Sequence, residues 1–200
     1  MIRIVMAEDQ TLVRQALVRL LNYEEDFDVI AEAGDGTAAI KAIETFIPDI
    51  ALLDVEMPSL SGLDVAAWVS EHVPTCQCIV VTTFARPGYI QRALQGGARG
   101  YLLKDANVRD LAEAIRTVAK GGKVVSPELM FHAWEFKNPL SSREQEILRV
   151  AATGCNTRAI AQQLCLSEGT VRNYLSDILG KLNASSRHEA TLVAKEQGWL

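Results

Sequence analysis

The sequence predicts two domains of different class: a five-stranded, doubly wound parallel α/β domain, then a small all-α domain of four helices. Three observations carry this. Short aliphatic runs alternate with one-sided helical patterns through residue 120, several of the runs are apolar without a period of two, and beyond residue 138 only helical periodicity remains. Uninterrupted apolar strands belong to a sheet covered by helices on both faces, and repeated strand–helix alternation points to parallel βαβ units.

Five strands are expected at "IRIVMA" (2–7), "FDVIAEA" (27–33), "DIALLD" (49–54), "QCIVVTT" (77–83) and "GYLL" (100–103). Helices are expected between them. "TLVRQALVRLLN" repeats apolar residues at Leu12, Ala16, Leu17, Leu20 and Leu21, and "GTAAIKAIETF", "GLDVAAWVSEH" and "PGYIQRALQGG" are similarly one-sided. A fifth helix, from about Asn107 to Lys120, sets Val108, Leu111, Ala112, Ile115 and Val118 on one stripe. The first domain is thus expected over residues 1–120. Residues 121–138 contain glycines, have Pro127 within and Pro139 just beyond, and lack a strand period, so they read as a linker with one short helix.

The second domain is expected over residues 139–200. Ser141 with Glu144 three residues on forms a capping-box pattern, opening a helix that ends at Gly154. Asn156 can cap "TRAIAQQL", and Ser167 can cap "EGTVRNYLSDILGKL", whose Val171, Leu175, Ile178 and Leu182 share one face. Only "CLS" separates those two helices, and a last helix spans about 185–197.

Composition narrows the class. With 200 residues, 48% hydrophobic and 22% charged, the chain has material for packed cores rather than disorder. Its apolar runs fall far short of the roughly 20 residues a bilayer span needs, and "MIRIVMAEDQ" meets acid before any signal-like core. A cytoplasmic protein with no membrane partner is expected. Cys76, Cys78, Cys155 and Cys165 come without a signal peptide or a second metal-ligand pair, so reduced structural thiols are expected. His72, His132 and His188 show no metal-like spacing, and Trp68, Trp134 and Trp199 are expected to pack or sit at interfaces rather than bind a ligand. Residues 139–200 hold 7 of the 20 basic and 6 of the 25 acidic side chains, leaving 13 and 19 for residues 1–138, a net +1 against −6. The two parts therefore have different electrostatic roles.

Chemistry concentrates at the predicted strand ends. The first strand runs into "MAEDQ" and the third into "LLD", which brings Glu8, Asp9 and Asp54 to one sheet edge if those strands are neighbours. Ligands bind beyond that edge in doubly wound sheets. Crowded carboxylates repel one another unless a cation sits among them, and an oxygen-only donor set suits Mg²⁺. The fourth strand ends in Thr82 and Thr83, whose hydroxyls can donate to an anion, and the fifth leads to Lys104, whose ammonium can neutralise phosphate oxygens. A carboxylate beside Mg²⁺ and a lysine is suited to accept a phosphoryl group, because the cations offset charge on the transferring oxygens. A single strand-end Asp is most often a turn or cap residue. The joint placement is what points to phosphoryl chemistry.

"AEDQ", "LLDVEMPSLSGLD", "VVTTFA" and "GYLLKD" together resemble the receiver domain of two-component response regulators, over essentially the whole first part. The resemblance implies that Asp54 is the phosphoacceptor and that Glu8, Asp9, Asp54 and the backbone carbonyl of Glu56 hold Mg²⁺. It further implies that Thr82 is the switch hydroxyl, that Lys104 contacts the phosphoryl group, and that Tyr101 is the rotating aromatic. Many receivers have an aspartate where this chain has Glu8 and a proline where it has Asp105. The glutamate keeps the charge but lengthens the reach. Without the proline an ordinary trans peptide is expected, since a non-proline cis bond costs about 3 kcal/mol.

In the second part, two short helices joined by a tight turn fit a helix-turn-helix, with Arg172, Asn173 and Ser176 on the exposed face of the second. Such a face is more often simply solvated, but Arg and Asn can bind guanine and adenine edges in bidentate fashion. "LSSREQEILRVAATGCNTRAIAQQLCLSEGTVRNYLSDILGKLNASSRHEA" resembles the LuxR-type DNA-binding domain nearly end to end, and its union with a receiver is that of the NarL/FixJ response regulators. The resemblance implies a sensor histidine kinase upstream and double-stranded promoter DNA as partner, met by Arg172, Asn173 and Ser176. Ser176 stands where family members often have lysine. A nearly neutral DNA-binding part should bind weakly alone, so a homodimer on phosphorylation is expected, with Thr82 and Tyr101 drawn inward. The receiver's own phosphoryl transfer and dephosphorylation are the only catalysis expected. Two alternatives stay open at this level: a metal-dependent phosphohydrolase using Asp54 as nucleophile, which needs Glu56 turned inward as an acid, and a phosphorylation-independent DNA-binding regulator.

Overall fold

The computed structural model describes residues 1–83, 86–125, 129 and 138–200. They form two compact units, the first holding every described strand and the second helical. In the first, β1 (Ile2–Ala7), α1 (Thr11–Leu21), β2 (Phe27–Ala33), α2 (Gly36–Phe46), β3 (Ile50–Leu53), α3 (Gly62–His72), β4 (Gln77–Thr82), α4 (Pro87–Gln95), β5 (Gly100–Leu103), α5 (Val108–Ala119) and β6 (Val124–Val125) follow in order. The strands are all parallel, in the order β2-β1-β3-β4-β5-β6.

The sheet thus has six described strands where five were expected. Val124 and Val125 pair with Gly100 and Tyr101 of β5, inside the stretch predicted to be linker. Two residues are too few to show a period, and only the β5 edge makes them a strand. The short helix expected in that linker falls among residues 126–137, of which only Leu129 is described.

Strand residues alternate between two buried faces. Ile4, Met6, Ile50, Leu52, Ile79, Val81 and Leu102 meet α1 and α5, through Leu21, Leu111, Ile115 and Val118. Their neighbours Val5, Ala51, Leu53, Val80 and Tyr101 are equally buried on the other side. Fully buried strands of this kind explain why the apolar runs show no period of two. Of the five residues expected on the inner face of α1, Leu17 and Leu21 pack on the core, joined by Val18, while Leu12, Ala16 and Leu20 are exposed. Adjacent i, i+4 rows of this helix are both apolar, so periodicity did not choose between them; the docking of α5 does.

In the second unit α6 (Ser142–Ala152), α7 (Thr157–Gln163), α8 (Glu168–Leu182) and α9 (Arg187–Glu196) enclose a core of Ile147, Leu148, Ile160, Val171, Ile178, Leu182, Ala190 and Trp199. Each helix starts on a side-chain cap: Ser141 with Glu144 as a reciprocal box, then Asn156, Ser167 and Ser186. Gly154 takes the positive φ of 85° that ends α6. All four cysteines are free; Cys76 and Cys78 are buried, Cys155 is half-buried, and Cys165 is exposed rather than part of a core. Trp68 stacks on His72 at 4.6 Å between ring centroids. His132 and Trp134 lie outside the described residues. Among the described residues no helix is long and apolar enough to cross a membrane, and no peptide bond is cis.

Candidate functional site

The strand order reverses between β1 and β3, and the crevice at such a reversal is where a doubly wound sheet binds its ligand. Ala7 and Leu53 are paired at the ends of these strands, and the ladder runs one step further, Asp54 N–H donating to the Ala7 carbonyl at 2.9 Å. Glu8 N–H donates to Ala33 of β2 at 3.0 Å. Backbone pairing therefore carries Glu8 and Asp54 side by side into the crevice. One carboxylate oxygen from each of Glu8, Asp9 and Asp54 lies within 4.8 Å of the others; Glu8 and Asp54 are buried and Asp9 is exposed. Gly62 makes room for this turn, since a Cβ there would lie 2.0 Å from the Asp54 carbonyl oxygen.

Lys104 reaches the same point from β5. Its N–H donates to the Thr82 carbonyl at 2.8 Å, and its Nζ lies 2.6 Å from Glu8 Oε2 and 2.9 Å from Asp54 Oδ2. Burial pushes the Glu8 carboxyl above its ordinary value, the neighbouring Asp54 charge adds to this, and the Lys104 hydrogen bond opposes it. Burial likewise raises Asp54, with Asp9 adding and Lys104 opposing. For Lys104 burial works against the ammonium, but its bonds to Glu8 and Asp54 outweigh that and hold its pKa above the usual lysine value. One cation is thus shared by two buried carboxylates, with a third acid at the rim. Glu8 Oε2 is fully buried and, among the described residues, has no partner besides that ammonium. An oxygen-only, under-neutralised cluster with such an atom fits a hard divalent cation such as Mg²⁺.

Thr82, fully buried, ends β4, whereas Thr83 beside it is exposed. Tyr101 pairs with Val80 of β4, so by strand alternation it shares a sheet face with Thr82. Its side chain is only 1% exposed, so like Thr82 it is buried in this structure. Glu56 is exposed, away from the inward position that the hydrolase alternative needs for its acid. Arg14 was not foreseen. From α1 it donates to the Glu8 carbonyl and pairs with Glu32 at 3.4 Å, clasping the loop that carries Glu8 and Asp9. Nothing in the local pattern marks it, because its partners belong to the β1 end and to β2.

In the second unit Arg172, Asn173 and Ser176 are all exposed on α8, at positions i, i+1 and i+4 of one face. Arg172 Nε donates to the Glu168 carbonyl at 3.4 Å, which lays the side chain along its own helix. Behind this face, the buried Glu144 accepts from the Ser141 N–H and from Lys181 Nζ, each at 2.7 Å. Lys181 is thereby anchored to α6.

Residues 4–116 match the response regulator receiver domain family, and residues 138–194 match the bacterial regulatory proteins of the luxR family. The chain belongs to the LuxR-group response regulators. This response regulator is 51% identical over 200 residues to the transcriptional regulatory protein YvfU of Bacillus subtilis, covering 100% of both chains. It is 45% identical over 199 residues to the transcriptional regulatory protein DesR of the same organism, covering 100% of this chain and 99% of DesR. The response regulator ChrA of a heme-sensing two-component system superposes with a TM-score of 0.59 at 30% identity, over 100% of this chain and 98% of ChrA. The regulator is accordingly a two-component transcriptional regulator, with a parallel-sheet receiver followed by a helical DNA-binding domain.

Proposed function

We propose that a sensor histidine kinase passes a phosphoryl group to Asp54, and that the phosphorylated regulator forms a homodimer that binds double-stranded promoter DNA in the cytoplasm. The observation that carries this is the shared ammonium: Lys104 lies 2.9 Å from Asp54 and 2.6 Å from Glu8 at the reversal of strand order. An Asp54 carboxylate oxygen bonds to phosphorus as the bond from phosphorus to the donor breaks. Lys104 stays beside the reacting carboxylate and offsets the charge that accumulates on the phosphoryl oxygens. Glu8, Asp9, Asp54 and the Glu56 backbone carbonyl would hold Mg²⁺, which supplies further neutralisation of those oxygens. The Thr82 hydroxyl is the proposed switch donor to the phosphoryl group, and Tyr101, already buried, is proposed to keep that face of the sheet closed.

On the DNA side, Arg172 and Asn173 are the proposed readers of base edges, with Ser176 beside them making a neutral contact where a cation would add a phosphate contact. The receiver is proposed to occupy residues 1–120 together with β6, the linker to run to 138 and the DNA-binding domain to fill 139–200. Catalysis is confined to the receiver's own phosphoryl transfer and its reversal by water. Intact-mass measurement after incubation with acetyl phosphate and Mg²⁺ tests the reading. One phosphoryl addition, absent in Asp54→Asn, is expected. Continuous turnover of the donor without retained addition would support a hydrolase instead, and no addition at all would leave only a phosphorylation-independent regulator.

A further inference from the structure

The edge of the sheet opposite Asp54 carries a polar cavity of about 370 Å³, opening at the start of β4 and the turn before β5. Its lining brings together Ser70, Gln77, Arg99 and Lys123 with Cys76 and Leu94. Two of these are cations, and among the described residues no carboxylate lines the cavity. Neither Arg99 nor Lys123 has an acidic partner among the described residues. Like charges brought together without a counter-charge are held against their repulsion, and an anion is what relieves it.

The arrangement is fixed by backbone. Arg99 N–H donates to Cys78 of β4 at 2.8 Å, and its carbonyl accepts from Val124 of β6 at 2.9 Å. Arg99 Nη1 donates to the Gly121 carbonyl at 3.2 Å, which aims the guanidinium and leaves its other N–H groups available. β6, the strand that the sequence pattern does not reveal, is what sets Lys123 beside Arg99. Gly97 turns with φ 87°, and a Cβ there would lie 2.6 Å from Ser70 Oγ, so glycine leaves the hydroxyl its room. Gln77 Nε2 spends one N–H on the Pro74 carbonyl at 3.1 Å and keeps the other.

We propose that this cavity binds a small phosphate monoester, its phosphate held by the Arg99 fork and Lys123, with the Ser70 hydroxyl and Gln77 amide donating. Arg matches a phosphate with paired N–H groups and Lys adds a point charge, while the volume exceeds what inorganic phosphate alone would fill. The proposal is independent of the switch at Asp54, which lies beyond the other ends of the strands.

The test is titration of the full chain with glycerol phosphate, without Mg²⁺, followed by amide NMR shifts, with succinate as a second titrant. Shifts should centre on residues 97–99 and 121–124, persist in Asp54→Asn and in Lys104→Met, and weaken about tenfold in Arg99→Gln and in Lys123→Gln. Both substitutions are at partly or fully exposed side chains, so folding is expected to survive, and unchanged shifts elsewhere check this. Equal affinity in the wild type and the two Gln variants would overturn the proposal, as would absence of shifts at these residues. Succinate binding as tightly as glycerol phosphate would overturn the assignment to a phosphate.

Discussion

Two buried glutamates in this chain are each paired with a lysine at nearly the same distance, with opposite electrostatics. Glu8 and Lys104 are 2.6 Å apart, Glu144 and Lys181 2.7 Å. Burial disfavours the charged form of both carboxyls, but Glu144 ends below its ordinary value and Glu8 above it. The difference lies in the company each keeps. Glu144 has Lys181 to itself and accepts from the Ser141 backbone and hydroxyl at a helix N-terminus, all of which favour the anion. Glu8 shares its lysine with Asp54, a second buried acid, with Asp9 nearby. The first pair is satisfied and structural; the second is deliberately short of positive charge, the condition in which a cation or a phosphoryl group changes most.

The largest effect expected from this contrast is at Glu144. Glu144→Ala leaves the Ser141 N–H without its acceptor and frees Lys181, and should destabilise the helical domain by about 2 kcal/mol, read by denaturation or by hydrogen exchange of α6. At the other pair the sign reverses. Asp54→Asn removes one of two carboxylates competing for Lys104, so without metal the receiver should gain about 1 kcal/mol, seen as a higher melting temperature. Mg²⁺ should raise the melting temperature of the wild type and raise that of Asp54→Asn much less.

The two pairs should also respond oppositely to pH. Glu144 has a lowered folded pKa, so its contribution is present above the unfolded value and disappears as pH falls through the folded one. Glu8 and Asp54 have raised folded values, so the native receiver binds protons more tightly than the unfolded chain and gains stability as pH falls through those values toward the ordinary carboxylate range. Stability profiles of the wild type minus Glu144→Ala, and minus Asp54→Asn, should slope in opposite directions on the acid side; parallel slopes would break the contrast. The smallest effect is on DNA. Ser176→Lys should add a phosphate contact and steepen the salt dependence of binding by about one in the logarithmic slope, measured by titration at several salt concentrations.

What the sequence disclosed follows the same division between local and distant causes. Asp54, Thr82 and Lys104 were legible because each follows an apolar strand and so must emerge at its end, and the Ser141–Glu144 box because its partners are three residues apart. The Lys181 contact, 37 residues from Glu144, carries no local mark. Arg14 escaped for the same reason, and β6 because two valines become a strand only against β5. The α1 stripe was legible only in part, Leu17 and Leu21 but not Leu12, Ala16 and Leu20, because two adjacent apolar rows compete and only packing decides.

The most direct test of the switch is sedimentation velocity of the full chain with a fluorescent promoter fragment, with and without acetyl phosphate and Mg²⁺, in the wild type and Asp54→Asn. The phosphoryl donor is expected to convert the wild-type monomer to a dimer and tighten DNA binding, while Asp54→Asn stays monomeric and weak under both conditions. Unchanged mass and DNA affinity in a wild-type sample shown to be phosphorylated would contradict it.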